Sequence, residues 1–274
     1  MHPFVKLFLG TALATTLAGP VSAQTYQNTI GLSVGTFRLR SLDQQASVLE
    51  YTGNALPLVG LMYRHQSENT KFNLRLSGGA GIMNPTRFGP RTYTTAVGEG
   101  KEFTYQISSA MYTVDLEADY LRRVGPVEPT RLTTWVGGSI RESAWYADEV
   151  GNMPWLVNTA TFSPVVQTDY AFQTNHSLSI RVDMAVVGLI TRAIWSNFPK
   201  STDDTNVEAY FKQGIRATTV GKLGNVNLQI GYSYRLSPRL SVGAIYRARY
   251  LSYPDPRPIR ALSSALSLEG EVHF

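Results

Sequence analysis

Apolar residues in this 274-residue chain recur at every second position over long segments, and this period of two is the feature that most restricts the fold. From Phe72 to Ile82 the even positions are Phe, Leu, Leu, Gly, Ala and Ile, and the odd ones are Asn, Arg, Ser and Gly. A period of two places successive side chains on opposite faces of a β-strand, so the sequence predicts an all-β protein. The same alternation returns near residues 110–121, 178–186, 226–234, 240–250 and 262–274.

Less regular segments bring the predicted number of strands to about ten. They lie near residues 27–39, 54–66, 130–146 and 155–173, and the phase of the second is uncertain because Leu56 to Tyr63 is apolar on both faces. An even number of strands is typical of a closed barrel whose two termini lie on one side of a membrane.

The connections between these strands alternate in length. Those over 67–70, 124–129, 174–177 and 237–239 are short, and the others run over about 41–53, 83–103, 148–154, 190–224 and 254–260. Short turns on one side and longer loops on the other predict a transmembrane, antiparallel, up-and-down β-barrel. Twelve strands are the alternative to ten, because the segment 190–224 has room for two more.

The beginning of the chain predicts export. A run of mostly small and apolar residues from Leu7 ends at Val21-Ser22-Ala23, a typical cleavage pattern, so we expect a signal peptide over residues 1–23 and a barrel domain over 24–274. No later segment is apolar for the 18 or so residues that a membrane helix needs. The chain has no cysteine, which excludes disulfides and a lipoprotein anchor.

The last strand carries a more specific signal. Leu266-x-Leu268-x-Gly270-x-Val272-x-Phe274 ends the chain on an aromatic residue in an alternating strand, and it resembles the C-terminal signature of Gram-negative outer-membrane β-barrel proteins. The resemblance implies an outer-membrane location, with outer-membrane lipid and lipopolysaccharide around the barrel, and recognition of Phe274 by the barrel-insertion machinery. It identifies no narrower subfamily.

Aromatic residues on the apolar face are expected to mark the two membrane boundaries, because their rings prefer the interface with water. The predicted girdle comprises Phe72, Tyr120, Tyr170, Tyr232, Tyr234 and Phe274 near the periplasmic rim, with Tyr246 and Tyr250 at the opposite rim.

If the apolar face meets lipid, the polar face lines a lumen with six charges of each sign. They are Arg75, Asp115, Glu117, Asp119, Arg141, Arg181, Asp183, Arg235, Arg247, Arg249, Glu269 and Glu271. Ten strands enclose little free space, so we expect a charge-filled, narrow lumen whose groups stabilise one another, with Arg75 near Glu117 or Asp119. The alternative is a conducting path with Asp115-x-Glu117-x-Asp119 as a cation site.

The sequence offers few catalytic candidates. His65-Gln66-Ser67 has the His-x-Ser spacing of outer-membrane phospholipases and lipid A deacylases, but Glu68 stands where those families have Asn. His176 and His273 also fall near the periplasmic rim, and Asp203-Asp204 has no histidine beside it, unlike the site of an omptin-like protease. We therefore expect no catalytic site.

Cofactor and nucleic-acid motifs are absent from the sequence as well. Zinc-ligand spacing is missing, and Gly78-Gly79-x-Gly81 lies inside a strand, so we expect no metal and no cofactor. The basic residues form no run, which excludes nucleic acid as a partner.

Function is therefore expected to reside in the surface loops. The loop 190–224 is the candidate binding segment, with room for a short helix or a hairpin, and its notable residues are Trp195, Phe198, Tyr210, Phe211, Lys212 and Arg216. Three hypotheses follow: a surface scaffold that binds an extracellular partner, a narrow channel or transporter for small solutes, and an outer-membrane hydrolase.

The lumen hypothesis makes a first prediction. Asp115→Ala removes one member of a compensated network, so it should lower the thermal resistance of the barrel more than it alters conductance in lipid bilayers. A large conductance combined with unchanged thermal resistance would contradict a filled lumen.

Overall fold

A computed structural model describes residues 28–97, 101–125, 131–151, 153–192, 208, 210, 212 and 214–274. The predicted signal peptide lies outside these residues. The described strands are β1 (Asn28–Asp43), β2 (Glu50–Gln66), β3 (Thr70–Pro85), β4 (Arg91–Val97), β5 (Lys101–Ile107), β6 (Ser109–Val124), β7 (Leu132–Val150), β8 (Met153–Gln173), β9 (His176–Met184), β10 (Val187–Arg192), β11 (Ile215–Thr219), β12 (Gly224–Ser237), β13 (Leu240–Tyr253) and β14 (Ile259–His273).

Ten of these strands form a closed antiparallel ring, as the alternation predicted. Its order is β1, β2, β3, β6, β7, β8, β9, β12, β13 and β14, and β14 pairs again with β1. The β1–β14 register runs without interruption from Thr29↔His273 to Asp43↔Ile259, and β8 pairs with β9 from Val165↔Asp183 onward. The ring therefore has no open edge.

The remaining strands extend the barrel at one end. β10 follows β9 and pairs with the first half of β8, and β11 pairs with β10. β4 and β5 form a separate two-stranded hairpin. The expected loops 83–103 and 190–224 are therefore partly strand, and the expected loop 148–154 shrinks to the few residues between β7 and β8.

Both described chain ends lie at the same end of the barrel. The backbone N–H of Phe274 donates to the carbonyl of Asn28, and the N–H of Asn28 donates in return. We call this end, with the turns after β2, β8 and β12, the terminal end. The opposite end carries the β4–β5 hairpin, the β10–β11 hairpin and residues 44–49 and 254–258, and we call it the loop end.

The outer wall is covered with exposed apolar side chains. On β1 they include Leu32, which is 66% exposed, and on β14 Leu268, which is also 66% exposed. Exposed apolar side chains on all ten ring strands form a continuous apolar surface of the kind that contacts lipid in barrel proteins. Among the described residues, no helix is long and apolar enough to cross a bilayer.

A bulge in β2 explains the uncertain phase of that strand. The register against β3 shifts between Ala55 and Leu58, so the inward positions change from odd to even. Leu58 and Met62 point inward and are buried, whereas Val59 is 54% exposed on the outer wall. The bulge thus allows a strand that is apolar on both faces to serve both the core and the lipid.

The loop-end half of the interior is filled by apolar side chains, which the sequence analysis did not predict. Trp155, Leu39 and Met111 are almost fully buried there, and residues 46 and 49 pack over them. We call this cluster the apolar plug; it comprises Phe37, Leu39, Tyr51, Ala55, Leu58, Met83, Met111, Trp145, Ala147, Val150, Trp155, Val157, Ala185, Ile190, Leu223, Leu251, Tyr253, Ile259 and Ala261.

A buried ion pair ties the strands together around the apolar plug. Arg192 of β10 binds Asp43 of β1, and Trp155 of β8 donates its indole N–H to the same carboxylate at 2.9 Å. Arg192 also donates to the carbonyls of Asp255 and Arg257, both at 2.7 Å. Because these partners come from distant segments, the pair fixes the loop end as one unit.

Two leucines of β1 allow the plug to be tested with the same substitution. Leu39→Ala leaves a cavity among packed side chains and should lower the free energy of unfolding by about 2–5 kcal/mol. Leu32→Ala, on the outer wall, should cost only about 0.5 kcal/mol because lipid fills the space. Denaturant unfolding in detergent micelles measures both, and equal losses would mean that Leu39 does not belong to a packed core.

Candidate functional site

The interior below the apolar plug is polar and has two levels. The first is a layer of ion pairs formed by β6, β7, β9, β12 and β13, which we call the charge layer. The second is a cavity of about 340 Å³ that opens at the terminal end, which we call the vestibule. The inward, mostly odd-numbered positions of neighbouring strands supply both levels, because side chains alternate across each strand.

Glu117 of β6 lies at the centre of the charge layer. Its Oε1 atom accepts a hydrogen bond from Arg141 Nη2 at 2.7 Å and another from Arg181 Nη2. Arg181 also binds Asp119, two residues further along β6. All four side chains are buried, so each charge is compensated where water does not reach it freely.

Asp115 and Asp183 extend this network towards the apolar plug. Asp115 binds Arg249 and accepts a hydrogen bond from Ser143 at 2.6 Å. Asp183 lies within 3.3 Å of Arg141 Nη1 and accepts a hydrogen bond from Asn227 at 2.7 Å. Arginines therefore occupy all three carboxylates of the expected cation column, which argues against a free cation site there.

Arg75 lies opposite Glu117, as expected, but its guanidinium makes its direct contacts elsewhere. Arg75 and Glu117 face each other in the β3–β6 register, but the guanidinium donates to Gln229 Oε1 at 2.9 Å and lies 3.6 Å from Glu269. Strand order alone predicted the nearest carboxylate on the neighbouring strand. A side chain as long as arginine instead reaches across the barrel.

The structure adds charged pairs in the vestibule that the sequence analysis missed. Lys71 binds Asp169 at 2.7 Å and lies 4.7 Å from the centre of the Trp135 ring, whose N–H donates to the same carboxylate. Arg64 binds Glu271 at 3.0 Å. Lys71 and Asp169 lie at odd positions of their strands, so the alternation identifies them as inward-facing. Arg64 follows the β2 bulge, where even positions face inward, so the alternation does not identify it.

Two predicted lumen arginines have different surroundings. Arg235 lines the mouth of the vestibule and is exposed. Arg247 lies deeper, beside a small second cavity of about 50 Å³ between the charge layer and the apolar plug.

The three histidines of the barrel all lie at the terminal end, far from the loop end, and each contacts a polar side chain there. His65 shares a hydrogen bond with Asn28 at 3.0 Å rather than with Ser67. His176 contacts the Tyr232 hydroxyl at 2.8 Å. His273 contacts the hydroxyls of Ser241 and Thr29, and its Nε2 atom lies 4.0 Å from Glu271 Oε2.

The predicted girdle residues lie on the outer wall. At the terminal end, Phe172, which the prediction omitted, stacks with Tyr170 and Tyr232 at ring-centre distances of 6.3 and 6.4 Å. At the loop end, Tyr112 and Tyr146 form a further pair with ring centres 6.1 Å apart. The other predicted members are Phe72, Tyr120, Tyr234, Tyr246, Tyr250 and Phe274.

The candidate binding segment is described only in part, and Trp195, Phe198 and Phe211 lie outside the described residues. Tyr210 is buried and donates its hydroxyl to the carbonyl of Thr191, and burial raises the pKa of that hydroxyl. Lys212 and Arg216 are exposed. Tyr210 therefore anchors the segment rather than presenting a binding surface.

Glu117 and an exposed glutamate of the β4–β5 hairpin give a matched test of the charge layer. Glu117→Gln keeps the shape but leaves Arg141 and Arg181 without their shared charge, so it should lower the free energy of unfolding by about 3–5 kcal/mol. Glu102→Gln should change it little. Unfolding midpoints in detergent micelles provide the comparison, and equal stability of the two variants would rule out a structural role for Glu117.

Comparisons with known proteins bear on the fold alone. No family model and no curated protein matches the sequence. The outer-membrane protease OmpT of Escherichia coli is similar in structure, with a TM-score of 0.52, 8% identity, and coverage of 93% of this chain and 99% of that one. The translocator domain of the autotransporter NalP from Neisseria meningitidis has a TM-score of 0.42 at 10% identity, with coverage of 98% of this chain and 96% of that one. Neisserial surface protein A has a TM-score of 0.37 at 9% identity, with coverage of 89% of this chain and 97% of that one. The chain thus has the fold of a Gram-negative outer-membrane β-barrel.

Proposed function

We propose that this protein is a non-conducting outer-membrane barrel that presents the hairpins of its loop end to an extracellular partner. In this proposal the terminal end faces the periplasm and the loop end faces the exterior. The observation that carries the proposal is the filled interior, in which the apolar plug and the charge layer follow one another along the barrel axis.

The two filled levels argue against the channel hypothesis. A solute that enters the vestibule meets Arg141, Arg181 and Glu117 in direct contact with one another. Beyond them lies the apolar plug, where Trp155 and Leu39 are at most 1% exposed. Passage would require both breaking buried ion pairs and opening a packed core.

The loop end, in contrast, offers a stable platform. The β4–β5 hairpin extends beyond β3 and β6 and is tied to β7 by a contact of 2.7 Å between Arg91 and Glu149. The hydroxyls of Thr94 and Thr104 lie 3.0 Å apart on its exposed surface. Polar, exposed side chains on a fixed hairpin suit recognition by hydrogen bonds.

A hydrolase is the weaker hypothesis. Similarity in fold to a protease carries no residue roles at 8% identity. The histidines of the described barrel lie at the terminal end, away from the surface where an omptin-like enzyme acts. We therefore propose that the protein is not an enzyme.

The membrane partners follow from the outer wall. Arg38, Arg40 and Arg260 point outward near the loop end of β1 and β14, where lipopolysaccharide carries its phosphates. Phe274 is 55% exposed on the outer wall at the other end of β14, which suits recognition by the barrel-insertion machinery.

Conductance provides the first test. Purified protein in planar bilayers should give no discrete openings at moderate voltage, because the ion pairs of the charge layer and the packed side chains of the apolar plug fill the interior. Regular single-channel steps from the wild-type protein would contradict the proposal.

Photo-crosslinking tests the binding surface. A crosslinking amino acid at Thr94 of the hairpin, introduced in cells that make the protein, should capture a macromolecule. The same group at Arg239, on an exposed turn at the terminal end, should not capture it. Identical products at both positions, or none at Thr94, would count against recognition through the hairpin.

A further inference from the structure

Five ring side chains lie together on the outer wall at the terminal end, and we call them the aromatic cluster. They are Tyr170 and Phe172 of β8, His176 of β9, and Tyr232 and Tyr234 of β12. The ring centre of His176 lies 5.4 Å from that of Phe172 and 4.8 Å from that of Tyr234. In the described part of the chain, every contact between two rings at the terminal end belongs to this cluster.

An open groove of about 960 Å³ borders the aromatic cluster at the turn between β8 and β9. Phe172, His176 and Tyr234 contribute rings to its lining, and Arg131, Gln173 and Asn175 contribute polar groups. Arg131 is the one charged group among the described lining residues, and no carboxylate accompanies it. The groove therefore combines an aromatic surface with a single positive charge.

The polar groups of the groove are available as hydrogen-bond donors. The side chains of Arg131, Gln173 and Asn175 are exposed, and within the described chain none of the three forms a hydrogen bond or an ion pair. The backbone of Arg131 is held beside β8, because its carbonyl accepts a hydrogen bond from the N–H of Ala171 at 2.7 Å. A guanidinium with neighbouring amides suits the oxygens of a phosphate group.

The groove lies where the apolar outer wall ends. Towards the loop end, the aromatic cluster continues into the exposed apolar side chains of Val166 on β8 and Ile180 on β9. Acyl chains cover such a wall and aromatic rings mark its boundary with water, so the groove lies at the level of the lipid headgroups.

We propose that this groove binds the headgroup of one anionic phospholipid. Arg131 and the amides of Gln173 and Asn175 bind the phosphate diester, and the glycerol and the upper acyl chains lie against the aromatic cluster. A zwitterionic headgroup fits less well, because its ammonium group would lie near Arg131 without a carboxylate to pair it. The occupant is a membrane lipid, so the proposal does not depend on any extracellular partner of the loop end.

Thermal unfolding of the full-length barrel in neutral detergent micelles tests this proposal. Dioctanoyl phosphatidylglycerol is compared with dioctanoyl phosphatidylethanolamine and with inorganic phosphate at constant ionic strength. Phosphatidylglycerol should raise the melting temperature by several degrees and the rise should saturate, because a ligand stabilises the state that binds it. No saturable rise, or an equal rise with phosphatidylethanolamine or inorganic phosphate, would overturn the proposal.

Arg131→Gln removes the cation that binds the phosphate. Since Arg131 is exposed, the variant should melt as the wild type does without lipid. It should need at least about ten times more phosphatidylglycerol for half of the rise, because a hydrogen bond to a charged group is lost. Arg239→Gln, on the exposed turn between β12 and β13, is the control and should respond as the wild type does. Wild-type affinity in Arg131→Gln would refute the site.

A second pair of variants tests the aromatic side of the groove. Phe172 and Tyr120 both lie on the outer wall at the terminal end, but only Phe172 lines the groove. Phe172→Ala should weaken the response to phosphatidylglycerol several-fold, whereas Tyr120→Ala should leave it unchanged. Equal weakening in both variants would mean that the lipid covers the whole aromatic boundary, and it would overturn a site in this groove.

Discussion

The structure depends on one constraint, which is that a sheet in contact with lipid must satisfy all its backbone hydrogen bonds within itself. Lipid offers no donors or acceptors, so an open edge would leave a row of unpaired amide groups. The ring closes through the β1–β14 pair, in which the last residues of the chain pair with the first strand. Closure then dictates the rest, because it divides every strand into a lipid face and an interior face.

That division explains why the interior has two different fillings. Ten strands enclose a space that side chains can occupy, and the inward positions must occupy it with groups that pack or pair. Towards the loop end they pack, with Trp155 and Leu39 in the apolar plug. In the middle they pair, with Glu117 between Arg141 and Arg181. The vestibule lies between the charge layer and the terminal end, and it is open at that end.

Much of this architecture follows from the alternation of apolar and polar residues along each strand. The alternation around residues 72–82 and 262–274 predicted the strands, the ring and the face that each side chain occupies, because the period of two is a local property of the chain. Parity also predicted that Glu117 and Arg141 face inward. Which arginine meets which carboxylate did not follow, since long side chains such as Arg75 reach strands that are distant in sequence.

The apolar plug escaped prediction for a different reason. Ile259 lies where the sequence analysis placed a loop, and Trp155 is the first residue of a predicted strand, so neither was considered as an interior side chain. Near Leu58 the bulge reverses parity, and no local pattern marks where a register shift occurs. Asp43 and Arg192 belong to the same group, because their pairing depends on a fold of the loop end that only tertiary contacts define.

The orientation of the two faces is the central claim, and spin labelling tests it most directly. The chain has no cysteine, so single cysteines at Leu266, Ser267, Leu268 and Glu269 can each carry a label in a barrel reconstituted into lipid vesicles. Relaxation by oxygen, which dissolves in lipid, should be strong at Leu266 and Leu268 and weak at Ser267 and Glu269. Strong relaxation by a water-soluble nickel complex at Leu266 and Leu268, in place of oxygen, would contradict a lipid-facing apolar wall.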